Sequence, residues 1–168
     1  MKEGKSLIDA QENPLLIGWR EWVSLPDICL PAIKAKIDTG ARTSALHTFF
    51  LETVRQDGID HIRFKMHPLQ RKQNPVITCM APLKDERMVS DSGGHRELRP
   101  VIESTLEIAG RRWSIELTLT NRENMLFRML LGRTSMTGRV QIDPARSYIT
   151  GKQLARSYRK PRLPKTKD

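Results

Sequence analysis

Cysteine is scarce in this 168-residue chain, which has only Cys29 and Cys79. Two thiols cannot build the disulfide framework of a small secreted domain, nor a four-thiolate zinc site, and a reducing, cytosolic setting fits best. Long apolar runs are missing as well. Nothing approaches the roughly 18 consecutive apolar residues of a membrane span. The first twenty residues offer only Leu15-Leu16-Ile17 where the core of an export signal would stand, so neither export nor a membrane partner is expected. Aromatic residues make up 5% of the chain, which leaves little stacking surface for single-stranded nucleic acid. The four histidines, His47, His61, His67 and His95, are scattered, and no His-Glu-x-x-His helix exists, so nothing local supports a zinc site. A glycine-rich loop ending in Gly-Lys-Ser/Thr, the cradle for ATP phosphates, is also absent. No metal and no cofactor are expected.

Positive charge is what the chain has in excess: 29 Lys and Arg against 19 Asp and Glu, a formal +10. It is unevenly spread. Residues 1–16 carry −1, residues 17–150 carry +5 and residues 151–168 carry +6. The last segment has two prolines and almost no apolar periodicity, and reads as a disordered basic tail. Such an arm suits RNA, a ribosome or another acidic surface, and equally a solvated end with no partner. Residues 1–16 read as a disordered N-terminal extension, leaving 17–150 as the folded domain.

Within that domain hydrophobic residues alternate. Ile33, Ala35 and Ile37 alternate with Lys34 and Lys36, and Trp113, Ile115, Leu117 and Leu119 with Ser114, Glu116 and Thr118; this is the period of half-buried strands. Gln56-Asp57-Gly58 and Ala109-Gly110-Arg111 sit where hairpins would turn. Only Thr134–Gly138 looks briefly helical. Short strands punctuated by Gly and Pro read as all-β, closed or sandwich-like.

One segment carries chemistry. In Ala35-Lys36-Ile37-Asp38-Thr39-Gly40-Ala41 an aspartate ends an amphipathic strand, and Gly40 lets the backbone turn around its carboxylate. Downstream stands Met129-Leu130-Leu131-Gly132-Arg133. Together the two resemble the retropepsin-type aspartic proteases. The blocks Gly18–Val23 with Leu25-Pro26, Ala35–His47, Glu97–Ile102 and Leu117–Arg122 with Met125 narrow the resemblance to the RimB-type retropepsin-like family. That family is often labelled an ATP-dependent zinc protease and is associated with RimK, a glutamate ligase. Neither ATP nor zinc finds a motif here.

The resemblance implies a retropepsin-like closed β-barrel with a glycine-rich flap and one short C-terminal helix, acting as a two-fold dimer. Aspartic proteases need two carboxylates sharing one proton, and the chain holds one Asp-Thr-Gly, so the second Asp38 is expected from a symmetry mate. Asp38, Thr39 and Gly40 are the implied catalytic loop, with Thr39 bonding across the dimer. Lys36, Ala41, Arg42 and Arg128 fall where retroviral relatives line the substrate cleft, and Ser92 and Gly93 fall at the flap tip, Ser90–Gly94. Lys36, Arg42 and Arg128 replace apolar or acidic residues, so an acidic peptide is the expected ligand. A glutamate-tailed ribosomal protein, modified by a RimK-type ligase, is the substrate this implies. Arg42 also removes the acidic partner that Arg133 would have, leaving Glu97 or Asp91 as candidates. The alternative function is a catalytically silent module of the same fold that binds an acidic or ribosomal partner.

Overall fold

The computed structural model describes residues 13–122 and 125–159. Twelve strands follow in order: β1 (Leu15–Gly18), β2 (Arg20–Leu25), β3 (Leu30–Asp38), β4 (Ser44–His47), β5 (Phe50–Gln56), β6 (Ile59–Met66), β7 (Ile77–Pro82), β8 (Asp85–Ser90), β9 (Arg96–Ile108), β10 (Arg111–Thr120), β11 (Met129–Gly132) and β12 (Val140–Asp143). The protein is all-β, as its alternation implies. No helix among the described residues is long and apolar enough to cross a membrane.

Seven strands form one sheet in the order β10-β4-β11-β3-β2-β9-β8, and β9 also pairs with β10. Six of them therefore follow one another round a ring, with β8 added outside it as the partner of β9. Residues facing into the ring are apolar: Ala35 of β3, Met129 of β11, Leu46 of β4 and Leu119 of β10 are register neighbours or nearly so, and all are fully buried. On β10 the alternation expected from the sequence holds, with Trp113, Ile115, Leu117 and Leu119 buried. Burial of each such side chain stabilises the fold by roughly 1.5–3 kcal/mol. The Trp113 indole also donates to the Ser135 carbonyl at 2.8 Å, so no donor is stranded.

Both expected hairpin turns form. Gln56 faces Ile59 across Asp57-Gly58, and Ile108 faces Arg111 across Ala109-Gly110. The turn residues have φ of 52° and 75° in the first and 49° and 75° in the second, the paired left-handed geometry that a two-residue hairpin needs. The first hairpin belongs to a separate three-stranded sheet, β5-β6-β7, inserted between β4 and β8.

One expectation is corrected. The short C-terminal helix is not an α-helix but a 3-10 turn, Arg133–Ser135, and two further 3-10 turns lie at Pro26–Ile28 and Gln153–Arg156. The Arg133 and Thr134 N–H groups are committed to the Ala41 and Arg42 carbonyls, and Gly138 at φ 75° turns the chain into β12. Near the expected ends of the domain, β1 pairs in parallel with β12, and a 3-10 turn at Gln153–Arg156 follows Gly151. The Tyr158 hydroxyl donates to the Ala32 carbonyl and accepts its N–H at 3.3 Å, tying the start of the basic segment to β3. Fully buried Glu21 holds the preceding stretch, accepting from the Ile149 and Thr150 N–H groups at 3.0 and 2.8 Å. Residues 1–12 and 160–168, the bulk of both expected tails, lie outside the described residues.

Candidate active site

β3 ends at Asp38, and the chain turns back on the carboxylate. Asp38 Oδ1 accepts from the N–H groups of Gly40 and Ala41, both at 3.1 Å. Asp38 Oδ2 makes no hydrogen bond to any described residue. One carboxylate oxygen is thus spent on shaping the loop and the other is left for chemistry.

β11 runs parallel to β3 with Gly132 beside Asp38. A side chain at Gly132 is impossible without movement: a Cβ there would stand 2.5 Å from the Thr43 carbonyl carbon and 2.8 Å from the Ser44 nitrogen. This closeness lets β11 brace the loop. The Gly132 N–H donates to Ser44 Oγ at 2.9 Å, and that hydroxyl meets Ser135 Oγ at 2.7 Å. The Arg133 and Thr134 N–H groups donate to the Ala41 and Arg42 carbonyls at 2.8 and 3.0 Å. The Arg133 guanidinium donates to the Thr39 carbonyl at 2.9 Å. This corrects the expectation that Arg133 would turn to Glu97 or Asp91; it braces the Asp38 loop through its backbone instead.

A cleft of about 1210 Å³ opens beside the loop. Asp38, Gly40, Ala41, Arg42 and Ser92 line it, with the outward faces of β4, β10, β9 and β8. Arg42 is exposed, and its side chain pairs with no described residue. The other expected contacts are placed differently. Thr39 and Gly93 are exposed near the rim. Lys36 is exposed on β3, in a register row that runs from Ala45 through Leu130 to Lys36 and Arg20. It shares the cleft's face of the sheet but is not among the lining residues. Arg128 is part-buried outside the lining, and its carbonyl accepts the His47 N–H at 2.8 Å.

Antiparallel β8 and β9 make a hairpin whose turn covers Asp91–His95, close to the expected tip. Asp91 organises it, accepting from the N–H groups of Gly93 and His95 at 3.0 and 2.9 Å. Its other oxygen pairs with Arg122 at 2.6 Å. That ion pair, with the backbone donors, holds the Asp91 carboxyl below the usual carboxylate range. Asp91 is thereby committed to the turn and cannot serve as a second, proton-sharing acid within the chain.

Sequence reasoning did not single out the charge network on the cleft wall. Lys84 pairs with Glu103 at 2.6 Å and Glu116 at 3.1 Å, and Arg87 pairs with Glu116 and with Asp85. Deeper in, His47 is buried, and burial together with the Arg99, Arg128 and Arg122 guanidiniums pushes its imidazole from 6.5 down to about 4. Among the described residues, no group of three or more His, Cys, Asp or Glu side chains is arranged to hold a metal.

A six-strand β ring with an Asp-Thr-Gly loop braced by a Gly-Arg strand defines a retropepsin-like domain. The chain belongs to the RimB-like family: the model described as "Retropepsin-like aspartic endopeptidase RimB" matches residues 16–153. Curated relatives include proteins of Shewanella halifaxensis, 39% identical over 142 residues, and Desulfotalea psychrophila, 42% identical over 149. A third, from Parasynechococcus marenigrum, is 45% identical over 137 residues. All three are named "Probable alpha-L-glutamate ligase". The matches cover 84%, 86% and 82% of this chain but 31%, 32% and 29% of the relatives, so the chain spans about a third of their length. A crystal structure of a Legionella pneumophila protein of unknown function shares the fold, with a TM-score of 0.67 at 24% identity. The match covers 82% of this chain and 99% of that one.

Proposed function

We propose that this protein is an aspartic peptidase that hydrolyses peptide bonds in acidic, glutamate-rich tails. The observation that carries this reading is the Asp38 carboxylate, fixed through one oxygen and open through the other, on a braced loop beside a cleft. A single carboxyl cannot both take a proton from water and give one to the leaving group. The reading therefore requires a homodimer in which two Asp38 carboxyls face each other and share one proton. The ionised member accepts a proton from the attacking water while the protonated member polarises the scissile carbonyl, and the pair titrates as a unit. The β8–β9 hairpin would act as the flap, with Ser92 and Gly93 at its tip over the substrate backbone.

Acidic specificity rests on Arg42, a cleft cation that no described carboxylate neutralises, with Lys36 further out on the same face. It also rests on the family relationship to longer proteins named as glutamate ligases: a domain joined to a ligase of glutamate has glutamate chains within reach. A ribosomal protein carrying such a tail is the proposed substrate, and the basic segment beyond residue 150 would favour its RNA-rich surroundings.

The test is incubation of purified protein with a glutamate-tailed peptide, with products read by mass spectrometry, beside an Asp38→Asn variant. Shortened tails that disappear with Asp38→Asn are expected. A wild type that binds the peptide and never shortens it would replace this reading with the second one, a silent binding module. That reading draws on the relatives' names, which speak of ligation and not of hydrolysis.

A further inference from the structure

The wall of the cleft holds a cation that ion pairing does not use up. Arg99 is on β9, and its side chain is only 9% exposed although it lines the cleft. Its Nε donates to Glu97 Oε2 at 3.1 Å, and Thr120 Oγ1 donates to the same oxygen at 3.3 Å. The two terminal nitrogens of Arg99 make no hydrogen bond to any described residue. Neither terminal nitrogen is sealed from solvent, so the fork opens onto the cleft with its donors free for a ligand.

Its neighbours define the surroundings. Arg99 stands opposite Arg87 of β8, and His47 of β4 stands opposite Thr120 of β10. The Thr118–Val101 pair brings Thr120 and Arg99 next on the same face, so one row crosses four strands: His47, Thr120, Arg99, Arg87. Arg87 is occupied by Glu116 and Asp85. Arg122, also lining the cleft, spends one nitrogen on Asp91. The depressed imidazole of His47 reports the same excess of positive potential, after burial itself.

We propose that Arg99, with Arg122 beside it, is a built subsite for a single carboxylate side chain of the substrate. Glu97 and Thr120 hold the Nε edge so that the fork of terminal nitrogens is preset toward the cleft. A carboxylate meeting that fork makes two parallel charge-assisted bonds, a geometry that a neutral amide cannot satisfy. The subsite deepens the acidic-peptide reading above and rests on it for the class of substrate. It differs from Arg42 in kind: Arg42 is an exposed cation, whereas the Arg99 side chain is largely buried and held through its Nε by Glu97.

Binding, not turnover, tests it. Full-length protein carrying Asp38→Asn is titrated calorimetrically with tetraglutamate and with tetraglutamine, and the same pair is measured with Arg99→Gln added. The expected result is a loss of roughly tenfold to a hundredfold in tetraglutamate affinity, the scale of a charge-assisted bond, with tetraglutamine little changed. Because Arg99→Gln takes away the cation that pairs with half-buried Glu97 and could unfold the chain, an E97Q/R99Q pair, which removes both charges together, carries the same comparison. Unchanged tetraglutamate affinity in a folded variant overturns the subsite, and so does equal loss of both ligands. The two proposals fail separately. Arg99-dependent binding without any peptide cleavage leaves the subsite standing and removes the peptidase. Cleavage whose glutamate preference survives E97Q/R99Q does the reverse.

Discussion

Gly132→Ala isolates the brace that holds the Asp38 loop, the catalytic loop of the function proposed above. The added methyl would lie 2.5, 2.6 and 2.8 Å from the Thr43 carbonyl carbon, its oxygen and the Ser44 nitrogen, all backbone atoms that cannot rotate away. Ordinary carbon contacts are about 3.5–4.0 Å, so the 43–44 segment must retreat from β11 by about 1 Å. That retreat strains the Gly132–Ser44 bond and the Ala41 and Arg42 carbonyl contacts together, and it moves the Asp38 loop with them. Overpacking of this sort costs about 1–3 kcal/mol. A catalytic group misplaced by about 1 Å costs on the order of a hundredfold in rate. Gly58→Ala is the control: Gly58 has φ 75° with open space around it, so its variant carries backbone strain of about 1–2 kcal/mol far from Asp38. Melting temperature and kcat on a cleaved glutamate peptide are measured for both. Both variants should melt earlier, and only Gly132→Ala should lose kcat by tenfold or more. If both keep wild-type kcat, the brace does not position the carboxylate.

Arg42→Ala should depress cleavage of a glutamate chain by about tenfold and of its glutamine analogue much less, since an exposed cation gives a modest, screened attraction. Rising salt should shrink the same difference, and equal loss on both substrates would make Arg42 structural. Stability should fall as pH drops from 6.5 to 4, because the unfolded chain protonates its His47 near 6.5 and the folded one resists to about 4. The contribution is present in full above pH 6.5 and amounts to at most about 3 kcal/mol. Denaturant melts of wild type and His47→Gln across that range measure it; parallel pH curves for the two would remove His47 as the cause.

Strands were legible where one face met the core and the other met water. The alternation is clearest in Trp113–Glu116 and Ile33–Lys36, whereas Thr118 and Thr120 at the end of β10 are buried on the other face, and both hairpins follow from residues that tolerate positive φ. The helical reading of Thr134–Gly138 stretched one 3-10 turn, because Gly138 at φ 75° turns the chain toward β12 after a single turn. The start of the basic segment shows a different limit. Tyr158 bonds to Ala32, a contact between residues 126 apart that no local pattern announces.

The site divides along the same line. Asp38 and Gly132 were readable because each serves a local geometric need: a carboxylate at a strand end, and a residue with no side chain where two backbones touch. Recognition was harder, because charge on a β protein means nothing until its partners are known. Lys36, Arg42 and Arg128 were singled out by position alone, and only Arg42 lines the cleft, while Arg87, which also lines it, is neutralised by Asp85 and Glu116. Arg99 stood in the sequence only as part of the Glu97–Ile102 block. Its significance comes from Glu97, which accepts from both Arg99 and Thr120 and so ties the guanidinium of β9 to β10. A cation held in this way discriminates more sharply than an exposed one, because its fork of donors is preset toward a carboxylate. On the function proposed above, preference for acidic peptides should therefore depend more on the Arg99 wall of the cleft than on its charged rim.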